Sequence, residues 1–155
     1  MVVMRHWRET MTENNHFRAL ENTYAAAPIN QIYEPTMTVS EGAAEIEIEL
    51  SEQYHHSGGA VHGSVYFKML DDAAFFAANS YETEVFVLTT SFTTYLTRPV
   101  SEGSLKAVGK VVNKNKSQFI AESVVYDYNG NEIGRGNGVF VRSKIPLSQA
   151  RGYGA

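Results

Sequence analysis

Residues that could carry out acid–base or nucleophilic chemistry are concentrated in one short part of the chain. The segment from His55 to Ser64 holds three histidines and three glycines, and Asp71 and Asp72 follow it. Glycine lets a ligand approach the backbone closely, and a helix N-terminus offers unpaired N–H groups with a partial positive charge. Such a place could polarise a carbonyl oxygen while a histidine orients water and a carboxylate attacks or accepts a proton.

The same histidines allow two other interpretations. A histidine at a helix start is commonly a cap or a solvated side chain. His55, His56 and His62 could also bind a metal, but they lie in a glycine-rich loop without helical ligand spacing, and the chain has no cysteine. We therefore predict no metal and no separate cofactor.

The two adjacent aspartates are distinguished by helical geometry, since neighbouring residues on a helix point about 100° apart. Lys68, Asp72 and Asn79 share a narrow polar stripe, in which Lys68 and Asp72 form an i,i+4 pair that can satisfy its charges at the surface. Asp71 points into an apolar sector with only Ser64 as a polar neighbour. An unpaired carboxylate there costs stability, which indicates function, although it could instead cap backbone N–H groups at a subunit interface.

The segment that carries Asp71, residues 61–79, contains no proline and four alanines and is predicted to be a helix that is apolar nearly all round. Its charged residues exclude a membrane span, so it must be the buried centre of a domain. An amphipathic helix, a lid or a packing helix, is predicted over Thr12 to Ala26, with Pro28 just beyond its end.

The rest of the chain is rich in strand signals. A strand is predicted at 36–39, a faultlessly alternating one at 44–50, and four more at 85–96, 104–112, 118–128 and 132–142, with a hairpin turn at Asn129-Gly130. Gly134, Gly136 and Gly138 leave one face of the last strand bare for close approach by another element. The expected fold is α+β, with a curved antiparallel sheet wrapped around a long helix at 36–145, an N-terminal helical extension at 1–35 and a flexible tail at 146–155.

Composition and charge narrow the function classes. The absence of cysteine excludes disulfides and cysteine nucleophiles, and the early charges in Met1 to Trp7 argue against a signal peptide or a span, which favours a cytoplasmic protein. Residues 1–97 carry a net charge of −9 and residues 98–155 a net charge of +5. The acidic whole argues against nucleic acid as a partner, while the basic half could bind a polyanionic ligand such as a nucleotide.

The motif of His62-Gly63 followed by Asp71 nine residues later resembles the His-Gly-Gly and Asp signature of hotdog-fold acyl-CoA thioesterases of the phenylacetyl-CoA thioesterase type. The stretch from Thr89 to Val100 is similar to the family's strand that ends in Arg-Pro. The resemblance spans residues 46–141. It implies a hotdog fold and hydrolysis of an acyl-CoA thioester to a free acid and coenzyme A.

The resemblance also implies residue roles. Asp71 falls on the carboxylate that acts as nucleophile or general base, and Gly59 on the glycine whose N–H polarises the thioester carbonyl. His62 matches the signature histidine, and Thr89 corresponds to a Ser or Thr that lines the site opposite the carboxylate. His56 stands where relatives often have an Asn that holds water or substrate.

Further residues are expected to contact the substrate. Gly63 is the signature glycine and is expected to contact the substrate, while Ser64 replaces the second glycine. Lys114, Lys116 and Ser117, in a strand connection, are the candidates for binding the CoA phosphates. The resemblance further implies a homodimer or homotetramer in which Asp71 of one subunit faces the loop of the other.

Other functions fit the sequence less well. A non-catalytic acyl-CoA-binding hotdog module, such as a sensor, would use the same pocket, but the carboxylate argues against it. A hotdog dehydratase would need a His-containing, Pro-rich motif that is not apparent. A pure interaction protein would leave the acidic residue on the buried helix unexplained. The sequence leaves open which acyl group the substrate carries.

Overall fold

A curved six-stranded antiparallel sheet wraps around one long helix in the computed structural model, which describes residues 15–154. The strand order is β1-β2-β4-β5-β6-β3. The helices are α1 (residues 15–26 of those described), α2 (Asn30–Tyr33) and α3 (Gly63–Asn79). The strands are β1 (Thr36–Ser40), β2 (Ala43–Glu49), β3 (Val85–Leu96), β4 (Ser104–Lys114), β5 (Phe119–Tyr126) and β6 (Glu132–Pro146), with short 3₁₀ turns at Glu52–Tyr54 and Leu147–Gln149. The predicted α+β hotdog architecture is confirmed.

Small residues let α3 lie close to the concave face of the sheet. Four alanines on the helix, Ala73, Ala74, Ala77 and Ala78, are fully buried. Across from them a Cβ atom at Gly109 of β4 would overlap the backbone of Ala73. The helix can therefore be apolar all round because the sheet encloses it, as the sequence predicts.

Strand β2 shows the alternation that the sequence predicts. Ala44, Ile46 and Ile48 are buried against α3, and the glutamates between them are exposed. The period of two places one face on the core and the other in solvent.

The bare glycine face of β6 is covered by a side chain of the neighbouring strand. A Cβ atom at Gly136 or Gly138 would collide with the ring of Phe92 on β3. The prediction of close approach at these glycines is confirmed, and the element that approaches is an aromatic ring.

Two expectations fail, one on the central helix and one at the C-terminal end. The polar stripe of α3 does not face solvent, because α1 covers part of it and Asn79 is fully buried. Residues 146–154 pack against the domain rather than forming a loose tail, since Leu147 is buried and the Tyr153 hydroxyl lies 2.9 Å from Nδ1 of His16. The start of the predicted helix at Thr12 lies outside the described residues.

Among residues 15–154 no helix is both long and apolar enough to cross a membrane.

Candidate active site

Asp71 lies in the middle of α3, at the wall of a cavity of about 650 Å³. Its Oδ1 accepts a hydrogen bond of 2.8 Å from the hydroxyl of Thr89 on β3. Six aromatic residues line the same cavity, together with the polar side chains of Ser64 and Lys68. These aromatic residues are Tyr24, Tyr33, Phe67, Phe75, Phe76 and Phe86. The helix geometry predicted the apolar surroundings of Asp71, and the hydrogen bond from Thr89 agrees with the position that the resemblance implies for that residue.

Burial raises the pKa of Asp71 to about 6, because the charged carboxylate loses water in this apolar cavity. The hydrogen bond from Thr89 and the charge of Lys68 lower that pKa, and the charge of Asp72 raises it. A carboxylate with a pKa near 6 is still largely ionised at neutral pH and is a stronger base than an ordinary aspartate. Asp71 can therefore accept a proton or attack an electrophile.

Asp72 has two hydrogen-bond partners that Asp71 lacks. Its Oδ2 accepts hydrogen bonds of 2.6 Å from Lys68 Nζ and 2.6 Å from the Tyr24 hydroxyl. The predicted pair of Lys68 and Asp72 is present, but its expected place at the surface is wrong, since the two side chains are only 14% and 20% exposed. The cause is Tyr24, which α1 places over this face of α3 and which the sequence indicated only as an apolar helix position.

His62 caps the N-terminus of α3. Its Nδ1 accepts a hydrogen bond of 3.0 Å from the N–H of Ser64 and lies 2.8 Å from the Ser64 hydroxyl. Because Nδ1 is an acceptor, the neutral ring carries its proton on Nε2. The cap is one of the roles that the sequence allowed for this histidine, and it leaves Nε2–H as a donor toward solvent.

The loop before α3 is closed by its own backbone. The N–H of Gly59 donates to the carbonyl oxygen of His56 at 3.0 Å, and Gly59 adopts a φ of +84°. The donor that the resemblance assigns to the thioester thus already has an acceptor within its own turn. The N–H of Gly63, the first residue of α3, has no acceptor within residues 15–154.

The loop before α3 and Asp71 line two different cavities of the protein. His56 and Gly63 line a cleft with Leu96 and Arg98, and none of its lining residues reaches the cavity of Asp71. Eight residues of helix separate Gly63 from Asp71, which corresponds to about 12 Å along the axis. Within one chain the predicted site residues therefore form two groups: Asp71 with Thr89, and His56 with Gly63.

The residues proposed to bind the CoA phosphates lie at the turn between β4 and β5; they are Lys114, Lys116 and Ser117. Lys114 Nζ lies 3.6 Å from the centre of the Tyr81 ring, and the side chain of Asn115 binds the N–H and hydroxyl of Ser117. Lys116 is exposed. None of the three residues lines the cavity of Asp71.

The histidines are not gathered around a common point. His55 Nε2 lies 2.8 Å from the carbonyl oxygen of Ser101, and His56 Nδ1 accepts from the N–H of Gly58. In the described part of the chain no three His, Cys, Asp or Glu side chains stand close enough to hold a metal ion.

Comparison with known proteins agrees with the fold. Residues 58–133, which include the loop from Gly58 onward, α3 and strands β3 to β5, match the family model described as Thioesterase superfamily. No curated protein matches the chain.

Solved structures resemble this chain over most of its length. The Escherichia coli PaaI protein, from the phenylacetic acid degradation operon, superimposes with a TM-score of 0.78 at 17% identity, covering 86% of this chain and 97% of its own. A thioesterase family protein from Silicibacter pomeroyi gives a TM-score of 0.74 at 21% identity, with 80% and 95% covered. At these identities the likeness establishes the hotdog fold.

Proposed function

We propose that the protein is a thioester hydrolase that converts an acyl-CoA to a free carboxylic acid and coenzyme A. The observation that supports this most directly is a carboxylate without a cationic hydrogen-bond partner, Asp71, whose pKa burial raises to about 6 in an aromatic cavity. A neutral thioester with an apolar acyl chain suits such a cavity, and the base it needs is already in place. The match of residues 58–133 to the Thioesterase superfamily model agrees with this chemistry.

The cleavage can use Asp71 in either of two ways. As a general base it takes a proton from water, whose oxygen attacks the thioester carbonyl carbon. The C–S bond then breaks, and the thiolate of CoA receives the proton back from Asp71. As a nucleophile the carboxylate attacks the same carbon, expels the thiolate and forms an anhydride that water hydrolyses.

The negative charge that develops on the thioester oxygen needs a donor. We assign this role to the N–H of Gly63, because it begins α3, where the helix dipole is positive, and because the Gly59 N–H is occupied. The free Nε2–H donors of His56 and His62 then lie on the side of the loop, where they can hold water or the substrate.

The separation of Gly63 from Asp71 implies that two copies of the chain build each site. A carbonyl group cannot contact both residues across about 12 Å of one helix. Strand β3 forms one edge of the sheet, and Leu88 on it and Phe67 on α3 are exposed beside Asp71. Pairing of two chains along this edge would cover both and set a second copy's loop against Asp71.

A non-catalytic acyl-CoA-binding module would use the same cavity without turnover. The two functions are separated by incubating chelator-treated protein with a panel of aromatic, branched and straight-chain acyl-CoAs while free thiol is measured. We expect release of thiol from at least one class and no dependence on added metal. Tight binding of a panel member with no thiol release would favour the binding module.

A further inference from the structure

The pair formed by Lys68 and Asp72 is built into the wall of the Asp71 cavity. All three side chains line the cavity, and the residues occupy one stretch of α3 over less than two turns. Two carboxylates on adjacent residues in a poorly solvated place repel each other and raise the pKa of whichever is less well paired. Which carboxylate reacts is therefore decided by the groups that bind the other one.

Two hydrogen bonds hold Asp72. Its Oδ2 accepts from Lys68 Nζ and from the Tyr24 hydroxyl, each at 2.6 Å. Lys68 Nζ is itself fixed by the Tyr24 hydroxyl at 3.3 Å and lies 5.0 Å and 5.2 Å from the ring centres of Tyr24 and Tyr33. The ammonium group thus stands between two aromatic rings of the N-terminal helices, which restricts it to Asp72.

We propose that Lys68 and Tyr24 are positioning residues for the reaction: they bind Asp72 and thereby keep its charge balanced, so that Asp71 alone is left as the reacting carboxylate. The proposal rests on the thioesterase function proposed above. Burial and the nearby Asp72 raise the pKa of Tyr24 well above its ordinary value, so its hydroxyl keeps the proton that it donates.

The other groups that face Asp71 do not provide this balance. The titratable side chains at the cavity are Tyr24 from α1, Tyr33 from α2, and Lys68 and Asp72 from α3. Strand β3 contributes the Thr89 hydroxyl and the apolar Phe86 and Leu88. Lys68 is therefore the one cation among the described residues that line this cavity. Its charge lowers the pKa of Asp71, whereas that of Asp72 raises it.

The test is a titration of the Asp71 carboxyl group by NMR in the full-length wild type, Lys68→Met, Asp72→Asn and the double variant. Removing Lys68 leaves Asp72 unbalanced, so the pKa of Asp71 should rise. Removing the Asp72 charge should lower it, and the double variant should return close to wild type. Lys106→Met removes a lysine that pairs with Glu45 at the exposed surface, at 3.6 Å, and should leave the titration unchanged.

Activity gives a second readout of the same cycle. In Lys68→Met, kcat at pH 6 should fall at least about threefold relative to wild type and recover by pH 8, because more of Asp71 is protonated at the lower pH. Tyr24→Phe should act in the same direction and more weakly. If Lys68→Met does not fold, Asp72→Asn, which keeps an acceptor for both partners, carries the test.

An Asp71 pKa that is the same in Lys68→Met and Asp72→Asn as in wild type would overturn the proposal, as would a double variant displaced as far as Lys68→Met. Absence of thioesterase activity in the wild type would instead contradict the proposed function, since the NMR titration requires no turnover.

Discussion

Asp71 and Asp72 are adjacent in the chain but differ in their partners. Asp72 is held by an ammonium group and a tyrosine hydroxyl, whereas Asp71 has one neutral hydroxyl, that of Thr89. The helix wheel separated the two residues correctly because they point about 100° apart. It could not show that Tyr24 covers Asp72 or that Thr89 reaches Asp71, because both contacts join parts of the chain that are distant in sequence.

Keeping Asp71 ionised lowers the stability of the folded protein. Its pKa is raised from 3.8 to about 6 by burial, so the folded chain binds this proton more tightly than the unfolded chain does. The proton bound to Asp71 therefore stabilises the folded chain. This stabilisation is complete below pH 4 and is lost as the pH rises through about 6. We expect Asp71→Asn to be more stable than wild type at pH 7, by on the order of 1–2 kcal/mol after discounting for solvent in the open cavity.

Denaturant unfolding at pH 3.5 and pH 7 measures this difference. The two proteins should be nearly equally stable at the lower pH. A variant that is less stable than wild type at pH 7 would show that Asp71 has a structural role.

The Thr89 hydroxyl should set where activity falls on the acid side. The hydrogen bond stabilises the charged carboxylate and lowers the pKa of Asp71. In Thr89→Val the pKa of Asp71 should therefore rise, and the acid limb of the kcat profile should move above the midpoint near pH 6 that we expect for wild type. Thr89→Ser keeps a hydroxyl and serves as the control. A Thr89→Val profile that superimposes on wild type would remove Thr89 from the site.

At the scale of elements, features that depend on a local sequence pattern were predicted better than contacts between elements. The alternation of β2, the turn at Asn129-Gly130 and the apolar character of α3 are all local, and each prediction of an element agrees with the structure. The last strand continues to Pro146, four residues beyond its predicted end, because it pairs with β3 up to Val85. The helix α3 begins at Gly63, since His62 turns out of the helix and caps it.

The hydrogen bonding of Gly59 could not be predicted from the local sequence. A glycine-rich loop indicates that the backbone can approach a ligand, but it does not indicate which N–H closes the turn. In the structure the Gly59 N–H binds His56, and that of Gly63 is left at the helix start.

The turn between β4 and β5 is where we place the phosphates of CoA. Neutralising Lys114 and Lys116 together should raise KM several-fold with little change in kcat, because the contacts would be the same in ground and transition states. Measurement of both constants at two salt concentrations checks this, since the salt dependence of KM should weaken as well. Lys144→Gln, a neutralised lysine on β6, is a matched control. An unchanged KM would move the phosphate site to Arg98 or Arg135.

At the scale of the whole molecule, a site shared between two chains requires an oligomer. We expect a dimer or a tetramer, because Gly63 and Asp71 of one chain are too far apart to act on one carbonyl group. Sedimentation velocity at assay concentration measures the state, and specific activity should fall on dilution in step with dissociation. A fully active monomer would contradict the shared site.

We propose that Asp71 carries the cleavage of a thioester, and single-turnover thiol release by Asp71→Asn measures this role. The amide keeps the shape of the side chain and an acceptor for Thr89, but it is neither a base nor a nucleophile. With the best acyl-CoA of the panel, we predict a fall in rate of at least about 10²-fold with substrate binding retained. Glu47→Gln, the same change on the exposed face of β2, should release thiol at the wild-type rate. An Asp71→Asn protein that releases thiol as fast as wild type would contradict the account.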